Sequence, residues 1–538
     1  MTEIDRLSDR YVSDLAAADP CLAAMSGISG QDGALTDYGP DGYAARADLT
    51  RRTLAELAAA PMTGEADRRA AAVLRDKLET FAALDEADVH ALDFSNIDGP
   101  FQRLRQAVEV LDQGADSPWD DLRARIEAFP AALRGLSAYQ AEARDRGIVA
   151  HRPMILGTVA QLEGSAAYFR GFAERPGLDG AARAAAQACL DYGAFLTGEL
   201  VPAAPDREGV GRDRYALGVR NFLGTTLDLE ATYAWAWDEL AVLKREMAEA
   251  AAEIAPGRSL AEVRDALDAD PRHRIASGEP FRAWIQELAD RAIADLDGVH
   301  FDIAEPLRRI DCRTPPTGNS IYYLAPAEDL SRPGQVWYSA HGAETTTWAV
   351  PSIMFHEGVP GHHLQLGATI LNQGLTRFQR VSSELHPGFA EGWGLYAERL
   401  MDELGYFTDP AHRLGMLYGG RQIRTVRVIV DIGLHLGLTI PAGSGFHEGE
   451  RWTRDLAIEF LSRHSPDDVE VVTWEIDRYL GLPAQAIAYK LGEKVWLEGR
   501  AAARARHGSS FDLKSFHSTA LDLGPMGLEL LAAELAAV

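Results

Sequence analysis

Three cysteines in 538 residues, Cys21, Cys189 and Cys312, are too scattered and odd in number to frame a fold with disulfides. A reducing compartment fits that usage. Basic charge is short as well: 53 Lys and Arg stand against 80 Asp and Glu, a formal net charge of −27. Such a surface repels phosphate, which argues against nucleic-acid binding, and its simplest consequence is solubility. No apolar run approaches the roughly 18 residues that a spanning helix needs. Met1-Thr2-Glu3-Ile4-Asp5-Arg6 opens acidic and amphipathic, without the charged start, apolar core and cleavage site of a secretion signal. These absences lead us to expect a cytoplasmic protein without membrane or nucleic-acid partners.

Repeats and low-complexity linkers are missing too, whereas helix signals are abundant. Ser117-Pro118-Trp119-Asp120, Ser259-Leu260-Ala261-Glu262 and Ser465-Pro466-Asp467-Asp468 read as capping boxes, each followed by an amphipathic run. The run Leu229 to Ile254, stopped by Pro256-Gly257, predicts a helix of roughly 39 Å at about 1.5 Å per residue. Residues 26–42, rich in Gly and Asp, predict a surface loop, and 202–212, with Pro202 and Pro205, a break between helical layers. Ser320 to Leu324 and Gln335 to Ala340 are extended runs bounded by Pro326, Pro333 and Gly334, and predict a small sheet. The expected fold is mostly α, with a helical N-terminal lobe over 1–300 and a second lobe over 301–538. The second holds the sheet (301–340), site helices (346–404) and closing C-terminal helices.

The chemistry is concentrated in His356-Glu357-Gly358-Val359-Pro360-Gly361-His362-His363. In the usual H-E-x-x-H zinc helix, two His at i and i+4 grip one ion and the Glu deprotonates water. Here the i+4 position is Pro360, which binds no metal and would clash with the His356 carbonyl in a continuous helix. The helix must bulge or break, with Gly358 and Gly361 giving the backbone freedom to return a second imidazole to the first. His362 and His363 are both candidates for that ligand. A catalytic zinc needs a third protein ligand, and Glu391, in a segment that reads as a Pro387-Gly388 turn opening a helix, is the candidate. Glu398, seven residues on and on nearly the same face, would hydrogen-bond a ligating His. Structural zinc sites favour Cys, and none lies nearby.

Other candidates carry competing readings. His447-Glu448 lacks a following His at ligand spacing and reads as solvated. Asp431 and His435 are either an outer pair beside the site or a satisfied buried hydrogen bond. Arg421, Arg424 and Arg427 recur at i, i+3 and i+6, and either face an anionic substrate or form ordinary ion pairs. An exposed edge strand beside the metal would pair with extended substrate, with Tyr338 and His341 near it, although a solvated loop His is the plainer reading of His341.

The strings HEGVPGHHLQ, EGWGLYAE, RTVRVIVDIGLH and EIDRYLGLPAQAIAYKLGE resemble the bacterial "domain of unknown function 885" family, over residues 320–530 at least, with a weaker echo at Asp37-Tyr38. His386-Pro387-Gly388-Phe389-Ala390-Glu391 is similar to the third-ligand segment of angiotensin-converting-enzyme-like peptidases, where N-P-G-F-H-E carries the zinc Glu. Those enzymes, thimet-type oligopeptidases and helical carboxypeptidases have a large two-lobed helical fold with a deep cleft, which the resemblance implies here. The longer loop inside the His-Glu motif departs from them: Gly361-His362 resembles their Gly-His, and His363-Leu364-Gln365 their His-Ile-Gln. The resemblance implies one Zn2+ ion, Glu357 as general base, and a late-helix Tyr as oxyanion donor, Tyr489 or in reserve Tyr479. Arg478 and Lys490 are candidates for a substrate carboxylate. A zinc metallopeptidase acting on short peptides is expected. A zinc amidohydrolase on a specialised small-molecule amide, or a binding protein retaining the fold, are the alternatives.

Overall fold

The computed structural model describes residues 1–112, 119–315, 321–340 and 342–538. Ala-rich amphipathic segments with polar caps fold as helices throughout, and the fold is mostly α with small sheets. The long helix Leu229–Ile254 forms as the sequence predicts, with the Asp228 side chain accepting from Ala231 N at its start. Ser259 and Glu262 make the expected reciprocal cap. Ser465 does not cap a helix. Its hydroxyl bonds Asp467 instead, and Asp468 caps Val469–Gly481 by accepting from Glu470 and Val471 N–H groups, which a carboxylate three residues closer reaches more directly. Ser117, Pro118, Ser320 and His341 lie outside the described residues. The 26–42 stretch is irregular only to Gly39, because Pro40 at N1 opens the helix Pro40–Ala59. The break expected over 202–212 ends where Arg212 starts the next helix.

One buried apolar cluster runs from Ile4 to Leu535. Polar contacts tie the first half to the second: the Tyr215 hydroxyl donates to Asp431 at 2.6 Å, and Phe378 N to Ser8 Oγ at 2.8 Å. A cavity of about 500 Å³ lies between N-terminal helices and the 384–387 and 481–483 segments. Among the described residues no helix is long and apolar enough to cross a membrane.

The extended runs pair as expected, and β-structure also forms outside them. β1 (Arg274–Ala276) pairs antiparallel with β5 (Glu344–Thr346). β2 (Ile310–Arg313), β3 (Ile321–Leu324) and β4 (Gly334–Tyr338) form a sheet in the order β2-β4-β3, parallel on the first side and antiparallel on the second. Central β4 leads toward the helix Val350–Glu357, and β3 is an edge.

The helix Pro387–Glu403 packs against Ala488–His507 with glycine facing glycine. A Cβ added at Gly492 would lie 2.2 Å from the Gly388 carbonyl oxygen and 2.6 Å from Gly392 Cα. This approach brings Tyr489, in the first turn of one helix, toward Glu391 in the other. Gly492→Ala is expected to destabilise the fold by about 1–3 kcal/mol through overpacking against backbone. A urea midpoint unchanged from the parent would show that the two helices part without strain.

Candidate metal centre

The His-Glu helix breaks at the predicted place. Val350–Glu357 ends at Gly358, and a second helix, His362–Leu371, starts after a turn containing a cis Val359–Pro360 peptide. Gly361 packs where a side chain would meet the His356 carbonyl. The indole N–H of Trp393 donates to the Pro360 carbonyl at 2.8 Å, fixing the turn to the Pro387–Glu403 helix that carries Glu391.

The turn swings His362 back, so that its ring lies 4.7 Å from the His356 ring, edge to face. Glu391 Oε2 is 3.2 Å from His356 Nε2 and 3.5 Å from His362 Nε2. Three donor atoms thus converge, all within 4.8 Å of one another. Tetrahedral zinc with bonds of about 2.0–2.1 Å sets its ligand atoms roughly 3.3 Å apart, so two nitrogens and a carboxylate oxygen at these spacings fit such an ion.

His363 does not join them. Its Nε2 lies 2.9 Å from the Leu307 carbonyl and therefore carries the proton, leaving Nδ1 to accept from the Tyr323 hydroxyl at 2.9 Å. With both nitrogens engaged and the ring fully buried, it positions β3 beside the site. Burial pushes its imidazole down to about 4.

Outer contacts hold the converging side chains. Glu398 is buried and, as expected, accepts from His356 Nδ1, at 2.9 Å, which turns Nε2 toward Glu391; it also accepts from the Ser352 hydroxyl. Burial lowers the His356 pKa, but hydrogen bonding to Glu391 and Glu398 overrides it and pushes the imidazole up to about 10. Burial likewise raises Glu391, yet the two imidazoles hold it well below the usual carboxylate range. A cation binding here would therefore displace a proton from His356. Glu398→Gln is expected to weaken zinc affinity about 10–100-fold, the usual toll of losing such a partner. Competition with a chromophoric chelator measures it, and an unchanged affinity would remove Glu398 from the ligand-orienting role.

Glu357 is buried beside the cluster. Desolvation raises its pKa and Glu391 adds to the rise, against the lowering effect of His356, His362 and Arg424. Tyr489 stacks at 6.4 Å on His356, and burial followed by the Glu391 charge pushes its phenol up to about 12, so it stays a proton donor at neutral pH. Tyr338 is buried with its ring edge on Phe281, near enough to Glu357 for that charge to raise its phenol.

Four expectations are corrected. Tyr479 is not free to donate, because its hydroxyl already donates to Glu475 at 2.7 Å and accepts from Arg427. Arg478 is spent in a two-point grip on Glu475 and a bond to Gln485. Lys490 is buried between Glu493 at 2.7 Å and Glu239 at 3.1 Å. Asp431 and His435 sit 3.6 Å apart but serve other partners. Asp431 accepts from Tyr215 and Ala484 N, while His435 accepts from Val210 N and donates to the Tyr479 carbonyl, so the pair braces helices away from the ligands. His447 faces Glu450 and Glu459 at the surface, as its isolation in the sequence implied.

Sequence reasoning missed Ser352, Tyr323, Trp393 and Gly394. Ser352 stands four residues before His356, one helical turn away, which is a readable signal. Gly394 makes room for the His356 ring, where an added Cβ would lie 2.6 Å from Cε1. A second looser group, His273, Asp409 and His412, also sets donor atoms within 4.8 Å, but His273 and Asp409 stay 3.9 Å apart and Asp409 caps the helix Pro410–Gly415.

The family model described as bacterial protein of unknown function (DUF885) matches residues 20–535. No curated protein matches the chain. Two solved structures share its fold. A candidate lipoprotein of Colwellia psychrerythraea superposes with a TM-score of 0.84 at 20% identity, over 99% of this chain and 98% of that one. A candidate lipoprotein of unknown function from Shewanella oneidensis gives 0.73 at 17% identity, over 99% and 100%.

Proposed function

The chain belongs to the bacterial DUF885 family, and on that premise we propose that it is a metal-dependent hydrolase cleaving amide bonds in short peptides. The observation that carries this reading is the buried convergence of His356 Nε2, His362 Nε2 and Glu391 Oε2, with Glu357 close enough to feel all three charges. A zinc ion held by these groups supplies Lewis-acid polarisation of a carbonyl and makes water more acidic. Zinc is preferred on ligand type.

The chain's own residues do the rest. Glu357 takes a proton from the water that attacks the scissile carbonyl carbon and delivers it to the leaving nitrogen as the C–N bond breaks. Its desolvated carboxylate is a stronger base than one in water. Tyr489 donates its O–H to the carbonyl oxygen as negative charge develops there, an interaction that strengthens toward the transition state. Glu398 keeps His356 in the tautomer whose Nε2 faces the ion. The free edge of β3 offers backbone groups to an extended peptide, which gives register with little side-chain selectivity.

Digestion of a peptide library by full-length protein, zinc-loaded or stripped with a chelator and read by mass spectrometry, tests the proposal. Cuts that appear only with metal are expected. Zinc-loaded protein that cuts nothing in the library sinks it.

A further inference from the structure

The helix Ile423–Leu436 and the turn before it carry three arginines whose fates differ. Arg421 pairs with Glu493 at 3.3 Å and Arg427 with Glu475 at 3.1 Å. Arg424 has no carboxylate partner among the described residues. One of its terminal nitrogens donates to the Gly419 and Gly420 carbonyls, while its Nε is buried and unbonded. A half-buried guanidinium without a counterion is costly unless something else supplies the charge.

Its position says what would. The Arg424 guanidinium lies 5.6 Å from the centre of the Tyr489 ring, which is itself 6.4 Å from the His356 ring. Arg427 reaches the same phenol at 5.1 Å, and Arg478 is close enough to lower its pKa. Three guanidiniums thus gather on this side of the site, although the chain as a whole carries a net charge of −27: Glu475 pairs with Arg427 and Arg478, and Glu357 feels the charge of Arg424, but no carboxylate among the described residues lies within ion-pair distance of Arg424. A local positive field inside an acidic protein selects an anionic group and orients it.

We propose that Arg424 binds the free C-terminal carboxylate of the substrate, so that the hydrolase releases short products from the C-terminal end. This rests on the hydrolase reading above and narrows it. The guanidinium is within about 12 Å of the His356 ring, which accommodates no more than about three extended residues at roughly 3.3–3.6 Å each. Longer C-terminal products do not fit between the anchor and the cut. A planar fork suits a carboxylate held at two points. The balance is that of simple hydrolysis: water oxygen bonds the carbonyl carbon, the C–N bond breaks, and the proton passes through Glu357 to the released amine.

The test separates binding from turnover. Zinc-loaded Glu357→Gln protein is titrated calorimetrically with acetyl-tetra-alanine as free acid and as C-terminal amide, alone and with Arg424→Gln added. The free acid is expected to bind at least tenfold more tightly than the amide, with that gap closed by Arg424→Gln and partly restored by Arg424→Lys at unchanged zinc content. In otherwise unsubstituted protein the loss in Arg424→Gln falls on KM for the free acid. Equal binding of acid and amide, or a gap that survives Arg424→Gln, overturns the anchor whether or not peptides are cleaved. Discrimination between acid and amide by a zinc-loaded parent protein, Glu357 intact, that cleaves no peptide supports the anchor and overturns the hydrolase reading alone.

Discussion

Glu357→Gln is expected to lower kcat on any cleaved peptide by about 10²–10⁴-fold, the range over which a positioned general base contributes, while bound zinc stays at the parent level. The substitution keeps the size of the side chain and removes only its capacity to hold a proton in transit. Glu357 follows the ligand His356 but is not among the converging donors, so the ion's binding does not depend on it. The burial that raises its pKa also strips it of water, and a glutamine amide there accepts a hydrogen bond without accepting a proton. Steady-state kinetics paired with metal analysis of the same sample reads both quantities. Turnover at the parent rate excludes Glu357 as the base; loss of zinc together with activity makes it a structural support for the ligands.

How much of this was legible in the sequence depends on the range of the forces involved. The helix break at Gly358 follows from proline geometry within a single turn, and the reach of Glu398 to His356 follows from helical spacing, so both could be read locally. Which of two adjacent histidines joins His356 and Glu391 could not. That choice is made by Leu307 and Tyr323, whose carbonyl and hydroxyl capture His363 from a different part of the chain. The same holds for the charged candidates. Arg478 and Lys490 look available in sequence, yet Glu475 and Glu493 lie three residues away on the same helical face and neutralise them. Arg424 is left over because no helical neighbour or tertiary contact among the described residues supplies a carboxylate at ion-pair distance. The Asp431–His435 spacing suggested a pair, but longer-range partners at Tyr215 and Val210 drew the two side chains apart.

The contrast between the adjacent histidines yields the second large effect. His362→Ala removes one of the three converging donors, and zinc affinity is expected to fall by more than the roughly 10–100-fold that loss of an outer partner brings. His363→Gln is expected to retain zinc at the parent affinity and to lose stability instead, by about 1–3 kcal/mol, because the Leu307 carbonyl and the Tyr323 hydroxyl lose a well-placed partner in a buried setting. Both are best made in a His412→Ala background, so that an ion at the looser His273, Asp409 and His412 group does not enter the count. Zinc stabilises the native state through binding linkage, by about 4 kcal/mol at a thousand times its Kd. The Tm rise on adding zinc should therefore disappear at fixed concentration in His362→Ala and persist in His363→Gln. The reverse pattern, with zinc lost from the His363 variant and kept by the His362 variant, would mean that the turn repacks around the ion and that His363 is the ligand.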